Sequence, residues 1–137
     1  MEIKKENIGD HLKKHGVKPS YQRMRIFEYL MNNRVHPTVD MIYKNLISEI
    51  PTLSKTTVYN TLNLFLEKNL VFTIVIEENE VRYDIDTSLH GHFKCNVCNA
   101  IYDFSVDSSY LEQEHLKSFK ISEQHIYLKG ACKDCSC

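Results

Sequence analysis

At 137 residues the chain has room for one or two small domains. With 42% hydrophobic and 26% charged residues it has the composition of an ordinary globular protein, and a net charge of −1 excludes a generic polycation. No run approaches the ~18 apolar residues of a membrane span. Met1 to Gly16 is charged rather than apolar, which shows no signal peptide and predicts a cytoplasmic protein.

The charge is uneven. Residues 1–68 hold 11 Lys+Arg against 7 Asp+Glu, and the rest of the chain is acidic. That bias permits nucleic acid as a partner without demanding it.

In chain order, residues 5–15 predict a polar helix, with Ile8 and Leu12 at i, i+4 and Gly16 as its stop. Ser20 is placed to cap a second helix over 21–33, whose inward face is Met24, Phe27, Leu30 and Met31. Pro37 excludes helical geometry at His36 and predicts an extended backbone there. Thr38 then caps a third helix, 39–49, with Ile42, Leu46 and Ile50 inward, before Pro51 breaks the chain.

Ser54 opens a fourth helix, Lys55 to Lys68, with Val58, Leu62 and Phe65 as its buried stripe. Its other face presents Lys55, Thr56, Thr57, Tyr59, Asn60 and Asn63. Hydroxyls and a phenol suit phosphate oxygens, and asparagine bonds adenine bidentately in a major groove. An ordinary solvated face more often carries Glu and Lys.

After Asn69 the period shortens to that of strands: Leu70–Ile76, a turn at Glu77–Glu80, then Val81–Ile85. Helices followed by one hairpin are the element order of a winged-helix DNA-binding domain. The predicted architecture is α+β: a winged helix over 1–84, a hinge at 85–89, and a small dimerisation and metal-binding domain over 90–137. The second domain is expected to hold strands at 92–96 and 100–106, a helix at 108–118 and a strand at 121–130.

All five cysteines lie in this last third. Cys95 and Cys98 form one C-x2-C knuckle, and Cys132 and Cys135 a second, with Cys137 left over. Four thiolates from two knuckles are the donor set of structural zinc. The competing use of C-x2-C, a redox dithiol, usually sits at a helix start beside a βαβ pattern, which is missing here.

A second, harder donor set overlaps the first knuckle. His90 and His92 are i, i+2 in an extended segment and share a face. If 92–96 and 100–106 pair, Asp103 returns beside His92, and Asp84 precedes the hinge. Imidazole with carboxylate suits Fe²⁺, Mn²⁺ or Zn²⁺. His11, His15, His115 and His125 have no ligand spacing.

Four stretches together resemble the ferric uptake regulator family of bacterial metalloregulators: His36-Pro37-Thr38, Ser54 to Leu62, His90-Gly91-His92-Phe93-Lys94-Cys95, and the two C-x2-C pairs. Asp103 and Asn60 resemble the peroxide-sensing repressors in particular. The resemblance implies a regulatory Fe²⁺ or Mn²⁺ site at His36, Asp84, His90, His92 and Asp103. It implies structural Zn²⁺ at Cys95, Cys98, Cys132 and Cys135. It further implies a homodimer on palindromic operator DNA, and no enzymatic turnover. Peroxide sensing then follows from iron-catalysed oxidation of His36 or His90 to 2-oxo-histidine, with loss of the metal and release from DNA. The alternatives left open are an iron-responsive repressor without peroxide sensing and a thiol redox protein using the C-x2-C pairs. Related recognition helices often carry an exposed Arg where this chain has Asn60 and Asn63.

Overall fold

A computed structural model describes residues 7–34, 36–76, 80–85, 90–107, 114–121 and 124–136. The chain divides into two compact units, residues 1–87 and 88–137.

The first unit contains α1 (Ile8–Lys14), α2 (Tyr21–Asn32), α3 (Val39–Leu46) and α4 (Lys55–Glu67), then β1 (Phe72–Ile74) and β2 (Arg82–Asp84). Three helix starts are set by hydroxyl caps. The Ser20, Thr38 and Ser54 side chains accept from the backbone N–H of Arg23, Met41 and Thr57. Each satisfies one of the donors a first turn leaves open. The helices meet over one apolar core that includes Leu12, Phe27, Ile42, Leu46, Leu62 and Phe65. Phe27 and Phe65 meet edge to face, 5.8 Å between centroids, fixing α2 against α4.

The inward face of α2 differs from the expected one. Ile26, Phe27 and Leu30 are buried, while Met24 and Met31 pack at the margin. Helix α3 ends at Leu46, and Ile50 reaches the core from the turn that follows.

Strands β1 and β2 pair antiparallel with Thr73 opposite Tyr83 and Phe72 opposite Asp84. Strand β2 also holds the loop before α3. Tyr83 N–H donates to the Pro37 carbonyl at 3.0 Å, Arg82 Nη1 donates to the His36 carbonyl at 3.1 Å, and Thr38 bridges Arg82. These bonds correct the expectation of an extended His36. Its φ is +58°, in the left-handed region. Pro37 bars the right-handed helix, and pairing with β2 selects the conformer. Positive φ in a residue with a bulky side chain is uncommon and costs of order 1–3 kcal/mol, which the surrounding bonds must offset.

The described residues of the second unit include a three-stranded sheet in the order β4-β3-β5, from β3 (His90–Cys95), β4 (Ile101–Ser105) and β5 (Tyr127–Gly130). Strands β3 and β4 are antiparallel with His92 opposite Asp103. Strand β5 runs parallel to β3, with His92 opposite Tyr127 and Cys95 opposite Gly130. That parallel pairing carries the second cysteine knuckle to the end of β3.

Of the helix expected over 108–118, residues 108–113 lie outside the described residues. Glu114–Leu116 form a single 3-10 turn rather than α-helix. The Lys117 and Phe119 N–H groups donate three residues back, to Glu114 and Leu116. Of the three residues of this turn, Glu114 and His115 are exposed and Leu116 is half-buried. Of the expected hinge, residues 86–89 lie outside the described residues. No helix among the described residues is long and apolar enough to cross a membrane.

Candidate metal centres

Cys95 ends β3, Cys98 follows in the tight turn, and Cys132 and Cys135 occupy the turn after β5. All four are free thiols, and their sulfurs lie within 4.8 Å of one another. Tetrahedral zinc with Zn–S of ~2.3 Å separates its sulfurs by ~3.8 Å. Cys98 Sγ and Cys132 Sγ are 3.8 Å apart. The donor set and its spacing therefore fit a tetrahedral divalent ion.

The backbone prepares these sulfurs for charge. Cys95 Sγ accepts from the N–H groups of Cys98, Val97 and Cys132 at 3.4, 3.4 and 3.3 Å. These bonds, those from Cys98 and Cys132 foremost, bring its pKa down to about 6. The Tyr102 phenol lowers the Cys132 pKa by hydrogen bonding to its thiolate. The same cluster pushes Cys135 up to about 12, chiefly through its bond with Cys132 and then burial. Thiols this close cannot all lose their protons alone, because each thiolate disfavours the next. A bound cation removes that obstacle, which is why such a cluster takes metal with release of protons. Cys137 lies outside the described residues.

The harder donors form a pair in each unit. In the first unit, His36 Nδ1 lies 3.6 Å from Asp84 Oδ2, and both side chains are buried. The β2 bonds described above place His36, and Asp84 ends that strand. Arg34 Nε stands 3.7 Å from the other carboxylate oxygen. In the second unit, His92 Nε2 lies 3.4 Å from Asp103 Oδ1, as their register requires. His92 is buried and Asp103 exposed. His90 is placed by its backbone at the first position of β3, opposite Ser105. The glycine between the two histidines is sterically required. A Cβ on Gly91 would lie 2.3 Å from the Phe104 ring, which covers it from β4.

On α4, Lys55, Thr56, Tyr59, Asn60 and Asn63 are exposed and Thr57 is half-buried. The Thr57 hydroxyl bonds Ser54 Oγ at 2.9 Å, so it serves the helix start as well as the surface. Residues that motif reading missed adjoin this face. A groove of about 490 Å³ is lined by Lys18, Ser20, Gln22 and Arg23 together with Thr57 and Asn60. Their only sequence signal was the mild basic bias of the first half. Lys55 Nζ reaches Asp40 Oδ1 at 2.7 Å, and Lys44 Nζ takes Asp40 Oδ2 at 2.8 Å.

Comparison with known proteins places the chain in a family. Residues 14–129 match the ferric uptake regulator family. The chain is 39% identical over 128 residues to the peroxide operon regulator of Bacillus subtilis, covering 91% of this chain and 88% of that protein. It is similar to the crystal structure of the Campylobacter jejuni peroxide stress regulator, with a TM-score of 0.68 and 29% identity, over 98% of this chain and 100% of that one. The Helicobacter pylori ferric uptake regulator shares the fold at a TM-score of 0.78 and 23% identity, over 99% and 97% of the two chains. The chain belongs to the ferric uptake regulator family, whose members are transcriptional regulators rather than enzymes.

Proposed function

We propose that the chain is a metal-dependent transcriptional repressor that senses hydrogen peroxide and binds palindromic operator DNA as a homodimer. The first unit acts as a winged helix: α4 enters the major groove and the β1–β2 hairpin flanks it. Lys55, Thr56, Thr57, Tyr59, Asn60 and Asn63 face the DNA. Lys18 and Arg23, across the groove from Thr57 and Asn60, hold the sugar–phosphate backbone. Zn²⁺ at Cys95, Cys98, Cys132 and Cys135 is structural.

The regulatory ion is Fe²⁺ or Mn²⁺, taken by His36 and Asp84 of the first unit with His90, His92 and Asp103 of the second. The observation that carries this reading is the repeated pairing of a buried imidazole with a carboxylate, once in each unit. Mixed nitrogen and oxygen donors favour iron or manganese over an all-thiolate ion. An ion needing ligands from both units favours the one arrangement that supplies them all. That arrangement sets the recognition helices of the dimer about one DNA turn, ~34 Å, apart.

Ferrous iron, when bound, supplies the electron that splits peroxide; manganese does not. The imidazoles of His36 and His90 are the groups oxidised, each to 2-oxo-histidine. An imidazole so altered is a poorer donor, and the DNA-competent arrangement loses its support. The similarity to peroxide regulators favours this over a purely iron-responsive repressor. The test is operator binding by the Mn²⁺- and Fe²⁺-loaded protein before and after peroxide, with mass spectrometry of the His36 and His90 peptides. Release of only the iron form, with a gain of ~16 Da (one oxygen atom) on either histidine, is expected. Release without histidine oxidation overturns the sensing mechanism, and binding unaffected by any metal overturns the repressor.

A further inference from the structure

His92 has two neighbours on its face of the sheet. Asp103 stands opposite on β4, and Tyr127 stands opposite on β5. The His92 and Tyr127 ring centroids are 6.2 Å apart. The Tyr127 hydroxyl is in turn 3.2 Å from His125 Nδ1, and His125 is exposed. A phenol gives up an electron far more readily when a base takes its proton in the same event. Tyr127 and His125 supply both parts, beside an imidazole assigned above to the regulatory ion. Nothing in the repressor reading uses either residue.

We propose that Tyr127 and His125 are an oxidisable pair that draws off part of the oxidant generated at the regulatory site, and so sets how much peroxide is needed to modify the ligand histidines. This rests on the reading of His92 as a ligand of that site. Ferrous iron held at that site would supply one electron to hydrogen peroxide, whose O–O bond would break to give hydroxide and hydroxyl radical. The radical takes one electron from Tyr127 and becomes a second hydroxide. The phenolic proton passes to His125 Nδ1, leaving a neutral tyrosyl radical and an imidazolium. Each equivalent consumed this way leaves His36 and His90 intact. His125 needs only to accept a proton, and its exposure lets it return that proton to solvent.

The experiment mixes the zinc- and Fe²⁺-loaded protein with one equivalent of peroxide, freezes it within milliseconds, and records the electron paramagnetic resonance spectrum. The same samples are then digested to quantify 2-oxo-histidine. Wild type is expected to show a tyrosyl signal whose hyperfine splitting collapses with ring-deuterated tyrosine. Tyr127→Phe abolishes the signal, and His125→Ala weakens it. In Tyr127→Phe the histidine oxidation per peroxide rises about twofold, the value for two competing sinks of equal barrier. Unchanged zinc content and Mn²⁺ affinity in both variants establish that they fold and keep the site. Histidine oxidation in wild type without a tyrosyl signal, and with the same yield in Tyr127→Phe, overturns the pair alone. Oxidation of neither histidine nor tyrosine overturns the sensing mechanism and the pair with it.

Discussion

His92 and Asp103 face each other across the β3–β4 ladder, and the imidazole Nε2 lies 3.4 Å from the carboxylate Oδ1. The register alone delivers this, because neither residue is near the other in sequence until the turn at Cys95–Cys98 closes. Asp103→Ala removes the second unit's oxygen donor without touching the thiol cluster. Loss of an outer partner of a ligand typically costs 10–100-fold in metal affinity. Loss of a ligand itself should cost at least about 100-fold, measured as Mn²⁺ binding by calorimetry with zinc content unchanged. An affinity within a few-fold of wild type removes Asp103 from the ligand set.

The thiol cluster should behave as the keystone of the second unit. Its described core is thin: the only buried side chains among its described residues are those of Cys95, Cys132 and His92. Small domains of this kind depend on a metal. Structural zinc contributes on the order of 10 kcal/mol of folding free energy in comparable sites. Strong chelation, or Cys95→Ser, should abolish amide protection throughout β3, β4 and β5 in hydrogen exchange. The helices of the first unit, with their own core, should keep theirs. Equal protection of both units after zinc loss would show that the ion is dispensable.

Much of the first unit was legible in the sequence because its signals are local. A cap hydroxyl, a stripe at 3.6-residue spacing and a proline stop lie within a few residues of each other, as at Ser54, Val58–Leu62–Phe65 and Pro51. The C-x2-C spacing was equally local, and the four sulfurs do converge. The features that escaped are set by distant partners. The left-handed φ of His36 answers to Arg82 and Tyr83 on β2. The parallel β3–β5 pair, and with it Tyr127 beside His92, depends on a crossover that no periodicity encodes. The groove between Lys18, Arg23 and Asn60 joins the α1–α2 loop and α2 to α4, far apart in the chain.

Gly91 offers a steric test of the same strand. Its absent side chain is the space the Phe104 ring fills, so Gly91→Ala must displace that ring or splay β3 from β4. Overpacking of this kind costs about 1–3 kcal/mol. The thermal midpoint of Gly91→Ala should fall accordingly, and Phe104→Leu in the same chain should recover part of the loss. No recovery in the double variant would mean that the clash is not with Phe104.

Asp40 predicts an acid-side effect. Its carboxylate is held at about 2, against a usual 3.8, by hydrogen bonds from Lys44 and then Lys55. A folded-state pKa below the unfolded one stabilises the fold above the unfolded value, and the contribution vanishes as pH falls through the folded value. The ion pairs should therefore act fully above about pH 4 and be lost towards pH 2. The side-chain carboxyl resonance of Asp40 should titrate near 2, and Asp40→Asn should lower stability at pH 7 while matching wild type below pH 2. Because these groups are solvated, the stability difference should be small and shrink with salt.

The proposed backbone contact of Lys18 and Arg23 is separable from base reading on α4. Each phosphate neutralised on duplex DNA adds ~0.9 to the slope of log affinity against log salt. Lys18→Ala and Arg23→Ala should each reduce that slope by about one and weaken operator and random DNA to a similar degree. Arg23 also donates to the Lys18 carbonyl at 2.8 Å, so Arg23→Lys, which keeps the charge, distinguishes a phosphate role from support of the loop. Asn60→Ala, by contrast, should leave the salt slope intact and lower operator affinity alone, since an asparagine reading a base is worth ~1–3 kcal/mol of discrimination. The two sets of variants compared on one operator and one scrambled duplex give the answer. If Lys18→Ala changes neither slope nor affinity, the DNA backbone does not run along this groove, and the contact surface of the first unit is confined to the exposed face of α4.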